Sequence, residues 1–501
     1  MTLERPPLRK GAPDYTSSTL EAKRRTLSSL QSRLAAMDSA ASSIEHRVDH
    51  ALLSALMNGL DFNLRVLKPW ERDPAFYKSL WVKQSDTPAH EGPTHHAVTE
   101  LWTYSFPLSE ADQVKLAAEL SVIPPLLEQA RSNLTGNARD LWVTGTGTLA
   151  EQVTELDVLA RRLPDASEVL KRAIGAARQS SASFVTWLQQ QAPRKTGPSG
   201  IGKEHYNWSL QKVHLVPLTW DDEVAILQRE LARAHASLKI EEHRNRRLPS
   251  LTAASTAEEF EARANAAVTK YMAFLKDQEI VTVQDYLDPA LRERIGPFVP
   301  LERRNFFRIA SHYEPITLFT HYYHWFDLAW MRRAPHASPI RRGATLFNIW
   351  DSRAEGMATA MEEIALHAGY FDDNPRAREI VWIMLAQRCA RGLASLYAQA
   401  NQFDMHEAKA FQVRWTPRGW MRPDLDLLGF EQQLYLRQPG YGTSYITGKH
   451  LIEELIKDRA DQLGDGFTLR GFFDEVNGAG MIPVSLIRLQ LLGRRDGVPG
   501  K

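Results

Sequence analysis

Apolar residues recur every three or four positions through most of this chain, the spacing that places them on one face of an α-helix. This periodicity restricts the fold strongly, because helical and strand faces need different spacings. The longest periodic segments are residues 20–58, 111–130, 149–163, 166–191, 220–242, 257–279, 354–368, 376–402 and 448–463. Segments in which apolar and polar residues alternate, as in a β-strand, are rare and short. The sequence therefore predicts an all-α fold, a large array of helices around a central cleft with at most short peripheral strands.

Helix boundaries are marked by capping residues and by clusters of proline and glycine. Ser109 precedes acidic residues and predicts a helix start, whereas Gly369 predicts a helix end. Interruptions rich in proline and glycine fall near residues 85–93, 193–202, 248–254 and 414–423. None resembles a long flexible linker. We predict one helical domain over residues 19–491, in one or two lobes, with tails at 1–18 and 492–501.

The charge balance and cysteine content exclude several classes of partner. The 501 residues include 61 basic and 60 acidic side chains, a net charge of +1, whereas nucleic-acid and membrane surfaces need clustered basic residues. The N-terminus lacks the apolar run of a secretory signal, and no window of about 18 residues is wholly apolar. The single cysteine, Cys389, suits a reducing compartment. We expect a cytoplasmic protein without nucleic-acid or membrane partners. The sequence leaves the oligomeric state open, including a homodimer.

Two motifs resemble nucleotide-binding or nucleophile sites but lack the structural context of either. Residues 197–203 have the glycine and lysine spacing of a phosphate-binding loop, yet Glu204 stands where a hydroxyl side chain would bind magnesium. The segment before the loop is helix-like, so no strand aims its amides at a phosphate. Ser444 is flanked by glycine but also lacks a preceding strand. We predict neither a nucleotide site nor a serine nucleophile.

The segment between residues 321 and 363 is the strongest candidate for chemistry. His321 and His324 are three residues apart, which places both imidazoles on one face of a helix. Glu355 and Glu362 are seven apart and share a face in the same way. Two histidines and a glutamate are a ligand set of catalytic zinc, so we predict zinc at His321, His324 and Glu355. The alternative is a buried aromatic helix whose histidines only hydrogen-bond to neighbours.

Other residues near this segment offer supporting roles. Asp327 lies three residues after His324 and could be a ligand, a support for a ligand or an exposed turn residue. Tyr441 and Tyr445 lie in a glycine-rich stretch that predicts a constrained turn. A tyrosine hydroxyl beside a metal can stabilise an oxyanion. The alternative for this stretch is a structural turn whose rings pack on the core.

Several short motifs together resemble a known protein family. The most specific are Arg353-Ala-Glu355-Gly356, Glu431 with Tyr435, Pro439-Gly440, and Ser444-Tyr445 with Gly448. With further similar segments in the first half, the resemblance covers nearly the whole chain. The family is domain of unknown function 885, whose members resemble helical, gluzincin-like metallohydrolases. The resemblance implies the all-α fold and a zinc-dependent activity of peptidase or amidase type.

This chain lacks one part of the family pattern. Many members carry His-Glu-x-x-Pro-Gly-His-His, whose histidines and a later glutamate resemble zinc ligands and whose first glutamate resembles a general base. In this chain Tyr322 follows His321, in the place of that glutamate. The resemblance therefore implies the metal ligands but no general base. We predict a zinc hydrolase acting on a small peptide-like or amide substrate, with Glu362 or Asp327 as the replacement base and the two tyrosines at the oxyanion. The alternative is a metal-free member that binds a ligand or does other chemistry in the same cleft.

Overall fold

Helices make up most of the computed structural model, which describes residues 7–37, 43–85, 98–343, 345, 349–425 and 427–493. The first half contains α1 (Ser17–Ala35), α2 (Ile44–Phe62), α3 (Pro69–Arg72), α4 (Glu110–Leu120), α5 (Ile123–Asn133), α6 (Arg139–Arg162), α7 (Glu168–Gln191), α8 (Lys203–Lys212) and α9 (Trp220–Arg244). The second half contains α10 (Ala257–Asp277), α11 (Leu287–Arg292), α12 (Phe306–Tyr313), α13 (Ile316–Phe319), α14 (Tyr323–Arg333), α15 (Asp351–His367), α16 (Ala377–Gln399), α17 (Met405–Trp415), α18 (Leu427–Arg437), α19 (Tyr441–Leu463), α20 (Leu469–Gly478) and α21 (Val484–Leu492). The predicted all-α fold is confirmed.

The strands found in the described ranges are two residues long. β1 (Leu8–Arg9) pairs antiparallel with β2 (Ala12–Pro13), and β3 (Leu80–Trp81) pairs parallel with β4 (Thr99–Glu100). Part of the predicted N-terminal tail is therefore ordered as β1, β2 and the start of α1. Residues 1–6 and 494–501 of the two predicted tails lie outside the described residues.

Two of the periodic segments form two helices each. The segment 20–58 contains α1 and α2, and residues 38–42 between them lie outside the description. The segment 111–130 contains α4 and α5, because Pro124 and Pro125 occupy the first turn of a new helix. Proline is accepted there since the N–H groups of a first turn have no partner within the helix.

The two predicted capping residues act as the sequence indicates. The Ser109 hydroxyl accepts a hydrogen bond from the Asp112 N–H at 3.1 Å at the start of α4. Gly369 follows α15 with φ +89°, a left-handed conformation that glycine adopts without strain. Both predicted boundaries are therefore confirmed.

The N-terminal helices α1 and α4 to α7, here called the N-terminal array, surround one apolar core. α6 packs along α7, and α4 and α5 contact α7 from the other side. The buried residues of α7 fall three or four apart, namely Leu170, Ile174, Ala177, Ser181, Phe184 and Leu188. Each helix of this array thus has one apolar face and one polar face, as its sequence period requires.

The helices α15, α16 and α19, here called the central helices, pack against one another at the middle of the second core. α15 crosses α19, and α16 lies between α19 and α9. Every residue of α15 is buried except Ile364 and His367. Nearly every residue of α16 is buried as well, yet both helices contain charged side chains. No helix within the described residues has both the length and the apolar character needed to cross a membrane.

Candidate metal centre

His321 precedes α14 and His324 lies within it, with their rings close together. His321 occupies a turn after α13, not the helix that the spacing predicts, because the backbone leaves the helical region at Tyr322 (φ −69°, ψ 18°). The His321 N–H closes this turn by donating to the Leu318 carbonyl at 3.0 Å. His324 lies in the first turn of α14. The two imidazole rings are perpendicular with centroids 5.1 Å apart, so both still reach one site.

Glu355 of α15 brings a carboxylate to the two imidazoles. Its Oε2 atom lies 3.0 Å from His324 Nε2 and 3.6 Å from His321 Nε2. The ligand atoms of the three residues all lie within 4.8 Å of one another, and all three residues are buried. In the part of the chain that the structure describes, this is the one cluster of histidine, cysteine or acidic residues with metal-binding proximity. The structure therefore brings the three predicted ligands together.

The other oxygen of Glu355 is held by a tyrosine. The Tyr441 hydroxyl donates to Glu355 Oε1 at 2.5 Å. Burial by itself would raise the pKa of Glu355, but the charge of His324 and hydrogen bonds from both histidines outweigh burial and hold that pKa well below its usual range. Glu355 is therefore ionised at neutral pH, as a carboxylate ligand of a metal must be.

Glu362 contacts the other side of His321. Its Oε1 atom lies 2.9 Å from His321 Nδ1 and 2.6 Å from Nη2 of Arg388 on α16. This leaves His321 Nε2 directed towards Glu355. A carboxylate on the outer nitrogen of a metal-binding histidine fixes the orientation of the ring. Glu362 does not line the cavity beside the histidines, so its position suits an orienting role better than the predicted role of general base.

Asp327 is engaged by an arginine. Its Oδ1 and Oδ2 atoms accept hydrogen bonds from Arg353 Nη2 and Nη1 at 2.9 and 3.0 Å. Burial raises the pKa of Asp327, and the charge of Arg353 only partly offsets that rise. Because both oxygens are occupied and Asp327 is not on the cavity wall, the pair joins α14 to α15 and leaves Asp327 poorly placed as ligand or base.

The glycine-rich stretch 441–448 is helical, which corrects the predicted turn. α19 begins at Tyr441, directly after Gly440 with φ +91°. Gly448 lies where α19 crosses α15, and a Cβ atom there would come within 2.7 Å of the Gly356 Cα. The two glycines allow the helix backbones to touch, which brings the tyrosines of α19 to the carboxylates of α15. Glycine thus serves close packing here, not a turn.

A cavity of about 270 Å³ opens beside the histidines. His321 and Glu355 reach its wall together with Tyr445, whose ring stacks on that of His321 with centroids 6.0 Å apart. The remaining wall residues are Asn305, Phe307, Arg308, Leu318, Tyr322, Arg391, Leu427, Phe430, Glu431, Leu434 and Tyr435. The cavity is therefore rich in aromatic rings and contains a few charged groups, as ligand sites commonly are.

Three charged residues of the wall were not predicted as site residues: Arg308 of α12, Arg391 of α16 and Glu431 of α18. Arg391 Nη1 donates to Glu431 Oε1 at 3.0 Å, and the guanidinium carbon lies 3.7 Å from the centroid of the Tyr445 ring. Burial raises the pKa of Glu431, and the charge of Arg391 offsets part of that rise. One sequence signal could have found this region. Arg388 and Arg391 lie inside an otherwise apolar helix, where charged residues are seldom buried unless paired.

The glycine-rich loop at residues 197–203 connects helices. The Gly197 N–H donates to the Asn137 carbonyl and the Gly202 N–H donates to the Gln399 carbonyl, both at 2.8 Å. These amides are used inside the protein and do not point at an open anion site. The arrangement agrees with the absence of a strand before the loop.

Comparison with known sequences identifies the family. A family described as "Bacterial protein of unknown function (DUF885)" matches residues 9–290 and 324–491. The chain belongs to this family. The matched ranges include His324, Glu355 and the central helices, whereas His321 lies just before the second range. No curated protein matches the chain.

Two solved structures share the fold of this DUF885 member. One is described as "a putative lipoprotein of unknown function from Shewanella oneidensis". It is 15% identical with a TM-score of 0.72, and the alignment covers 96% of this chain and 94% of that one. The other, "the putative lipoprotein from Colwellia psychrerythraea", is 13% identical with a TM-score of 0.65, covering 96% and 91%. At these identities the likeness shows the fold alone.

Proposed function

We propose that this DUF885 member is a zinc-dependent hydrolase that acts on small peptide-like or amide substrates. The observation that carries the proposal is the convergence of His321 Nε2, His324 Nε2 and Glu355 Oε2 beside an aromatic cavity whose wall includes His321 and Glu355. Two imidazoles and one carboxylate form a zinc ligand set in which a fourth position is open to substrate or water. A cavity at that position is what a hydrolase needs.

The spacing of the donor atoms fits a zinc ion. Ligand distances of about 2.0–2.1 Å in a tetrahedral site place neighbouring donor atoms about 3.3–3.4 Å apart. The separations of 3.0 and 3.6 Å between Glu355 Oε2 and the two imidazole Nε2 atoms lie on either side of that value. When bound, zinc supplies a Lewis acid that polarises a carbonyl oxygen and acidifies water.

Two further residues would position the ligands. Glu362 holds the Nδ1 side of His321, which leaves Nε2 for the metal. Tyr441 holds Glu355 Oε1, which leaves Oε2 facing the imidazoles. Neither residue lines the cavity, so we assign both to orienting ligands and not to contact with substrate.

In this proposal Glu431 takes the role of the missing general base. It is the one carboxylate besides Glu355 among the described residues of the cavity wall. Burial raises the pKa of Glu431 towards neutral pH. A general base is most effective when its pKa lies near the pH at which the enzyme works. Glu431 would accept a proton from the attacking water. Tyr445 on the same wall would donate a hydrogen bond to the developing oxyanion.

A metal-free ligand-binding protein is the second candidate. Glu355 already interacts with His324 at 3.0 Å and with Tyr441 at 2.5 Å, so the cluster is stabilised without a cation. The aromatic cavity would then hold a ligand that is not hydrolysed.

Metal analysis of protein expressed with added zinc distinguishes the two candidates. We expect about one ion per chain, lost in His324→Ala and kept in His367→Ala, which changes an exposed histidine. Glu431→Gln should keep the zinc and lose about 10²–10⁴-fold in the hydrolysis of dipeptide probes. Wild-type protein without zinc would favour the ligand-binding candidate. Unchanged hydrolysis by Glu431→Gln would remove Glu431 as the base.

A cytoplasmic location belongs to the same proposal. The single cysteine, Cys389, is buried, and burial raises its pKa well above the usual range, so it acts as a small apolar residue. A membrane-surface location is the alternative for this chain, because the two similar structures are described as putative lipoproteins. Cell fractionation of the native host with an antibody to this protein decides between the two locations.

A further inference from the structure

The cavity wall contains a second arginine whose charge the fold does not use. Arg308 of α12 lies on this wall. Its backbone N–H donates to the Asn305 side chain and its carbonyl accepts from His312, whereas its guanidinium lies against Gly296. Within the described ranges no carboxylate forms an ion pair with this guanidinium. An arginine on the wall of a ligand-sized cavity, without a carboxylate partner of its own, points to an anionic group of the occupant.

Arg391 adds unused donors deeper in the same wall. It is 97% buried and gives one N–H to Glu431, with its face against the Tyr445 ring. A guanidinium has five N–H donors, and its Nε has no hydrogen-bond partner in the part of the chain described. Arg391 can therefore offer a further N–H donor to an acceptor bound in the cavity.

The charge and size of the cavity restrict the occupant further. The described wall residues include two arginines and the carboxylates of Glu355 and Glu431, so a divalent cation at the histidines would make the balance of charge positive. The volume of about 270 Å³ admits a molecule the size of a dipeptide. The aromatic rings of the wall favour an apolar side chain beside the anion.

Resting on the proposed hydrolase, we propose that the substrate carries a free carboxylate, which Arg308 binds with support from Arg391. The substrates would be dipeptides or N-acyl amino acids with an apolar C-terminal residue. In the reaction the amide C–N bond breaks and the carbonyl carbon gains the oxygen of a water. The two water protons pass to the amine and to Glu431, which returns its proton to the products.

Binding of a matched ligand pair to the full-length, zinc-supplemented protein tests the carboxylate site without requiring hydrolysis. The probes are the analogue of N-acetyl-phenylalanine in which a CH2 group replaces the amide N–H, so that it cannot be hydrolysed, and the C-terminal amide of the same analogue, which lacks the carboxylate. We expect the wild-type protein to bind the acid at least about tenfold more tightly, because charge-assisted hydrogen bonds form with the acid alone. Arg308→Gln should abolish this preference and Arg308→Lys should restore part of it. Arg303→Gln, which changes an exposed arginine outside the cavity, should retain the preference.

The outcomes separate this inference from the zinc hydrolase on which it rests. A preference for the acid that disappears in Arg308→Gln supports the carboxylate site even if the protein contains no zinc. A wild-type protein that binds both probes equally, or binds neither, overturns it. A preference that persists in Arg308→Gln overturns the assignment of Arg308.

Discussion

The N-terminal array and the central helices bury their side chains in different ways. On α6 and α7 the buried positions are apolar except for Gln152 and Ser181, two uncharged residues that hydrogen-bond to each other at 3.0 Å. The central helices instead bury ionisable groups, namely Asp351, Arg353, Glu355, Glu362, Glu363, Glu379, Arg388, Arg391 and Lys449. Both regions are helical, but among its described residues the array buries a single charged side chain, Lys23 of α1.

The difference indicates which region carries the function. Removing an ion from water costs several kcal/mol even after relaxation of the protein, and apolar side chains of similar volume would fill the space at lower cost. The array shows that this chain can build such apolar packing. Four of these residues, Glu355, Glu362, Arg388 and Arg391, lie around the histidines and the cavity, and such groups of buried ionisable residues are typical of functional sites.

The largest predicted contrast concerns two arginine–carboxylate pairs, one in each region. Arg388→Met should lower the free energy of unfolding by about 3–5 kcal/mol, because Glu362 would stay buried without its ion-pair partner. Arg178→Met in the array should change it little, because Arg178 pairs with Asp157 at the surface, where water screens the charges. Replacing Glu362 with Met together with Arg388 should recover most of the loss. Urea denaturation measures the free energy of unfolding of all three variants. An equal loss of stability in the two single variants would contradict the comparison.

Glu223 of α9, which accepts a hydrogen bond from Thr447 of α19, should make the stability depend on pH. Burial raises the pKa of Glu223 to about 7 from 4.5, and hydrogen bonds from Tyr206 and Thr447 lower it by less. The folded protein therefore holds this proton more tightly than the unfolded chain does. The free energy of unfolding should fall as pH rises from about 4.5 to about 7, with about 3 kcal/mol of the fall due to this group. Glu223→Gln should remove that part of the decline. Denaturation curves across this range test it, with the exposed Glu128→Gln of the array as a control that keeps the decline.

The smallest predicted contrast is between two glycine-to-alanine substitutions that should change the free energy of unfolding in opposite directions. Gly448→Ala should lower the free energy of unfolding by about 1–3 kcal/mol, because a methyl group has no room between α15 and α19. Gly147→Ala on α6 should raise it by about 0.5–1 kcal/mol, since nothing lies near that position and alanine favours a helix. Thermal unfolding compares the two. A Gly448→Ala protein as stable as wild type would show that the two helix backbones are not in contact.

The helices of the array could be predicted from the sequence because each has one exposed face. The buried positions of α7 repeat every three or four residues, and its predicted and observed bounds nearly coincide. α6 was predicted to begin at residue 149 but begins at Arg139, because Gly145, Gly147 and several threonines interrupt the apolar pattern of its first half. Apolar periodicity therefore locates a helix that has one solvent-exposed side. It does not locate the end of a helix where small residues interrupt the apolar pattern.

The site was predictable only in part. The spacing of His321 and His324 and the ligand chemistry of Glu355 predict a cluster that the structure brings together. Arg388 and Glu431 come from other helices, and nothing in local spacing indicates that they reach the same place. The stretch 441–448 was misread as a turn because glycine permits both turns and close packing, and only the neighbouring helix decides between them.

The most direct test of the central claim is anomalous diffraction on both sides of the zinc absorption edge, from crystals of zinc-supplemented protein. Our account predicts one strong peak among His321 Nε2, His324 Nε2 and Glu355 Oε2, and no peak there in Glu355→Gln. An ordered site with no anomalous peak at these three residues in the wild-type protein would contradict the account.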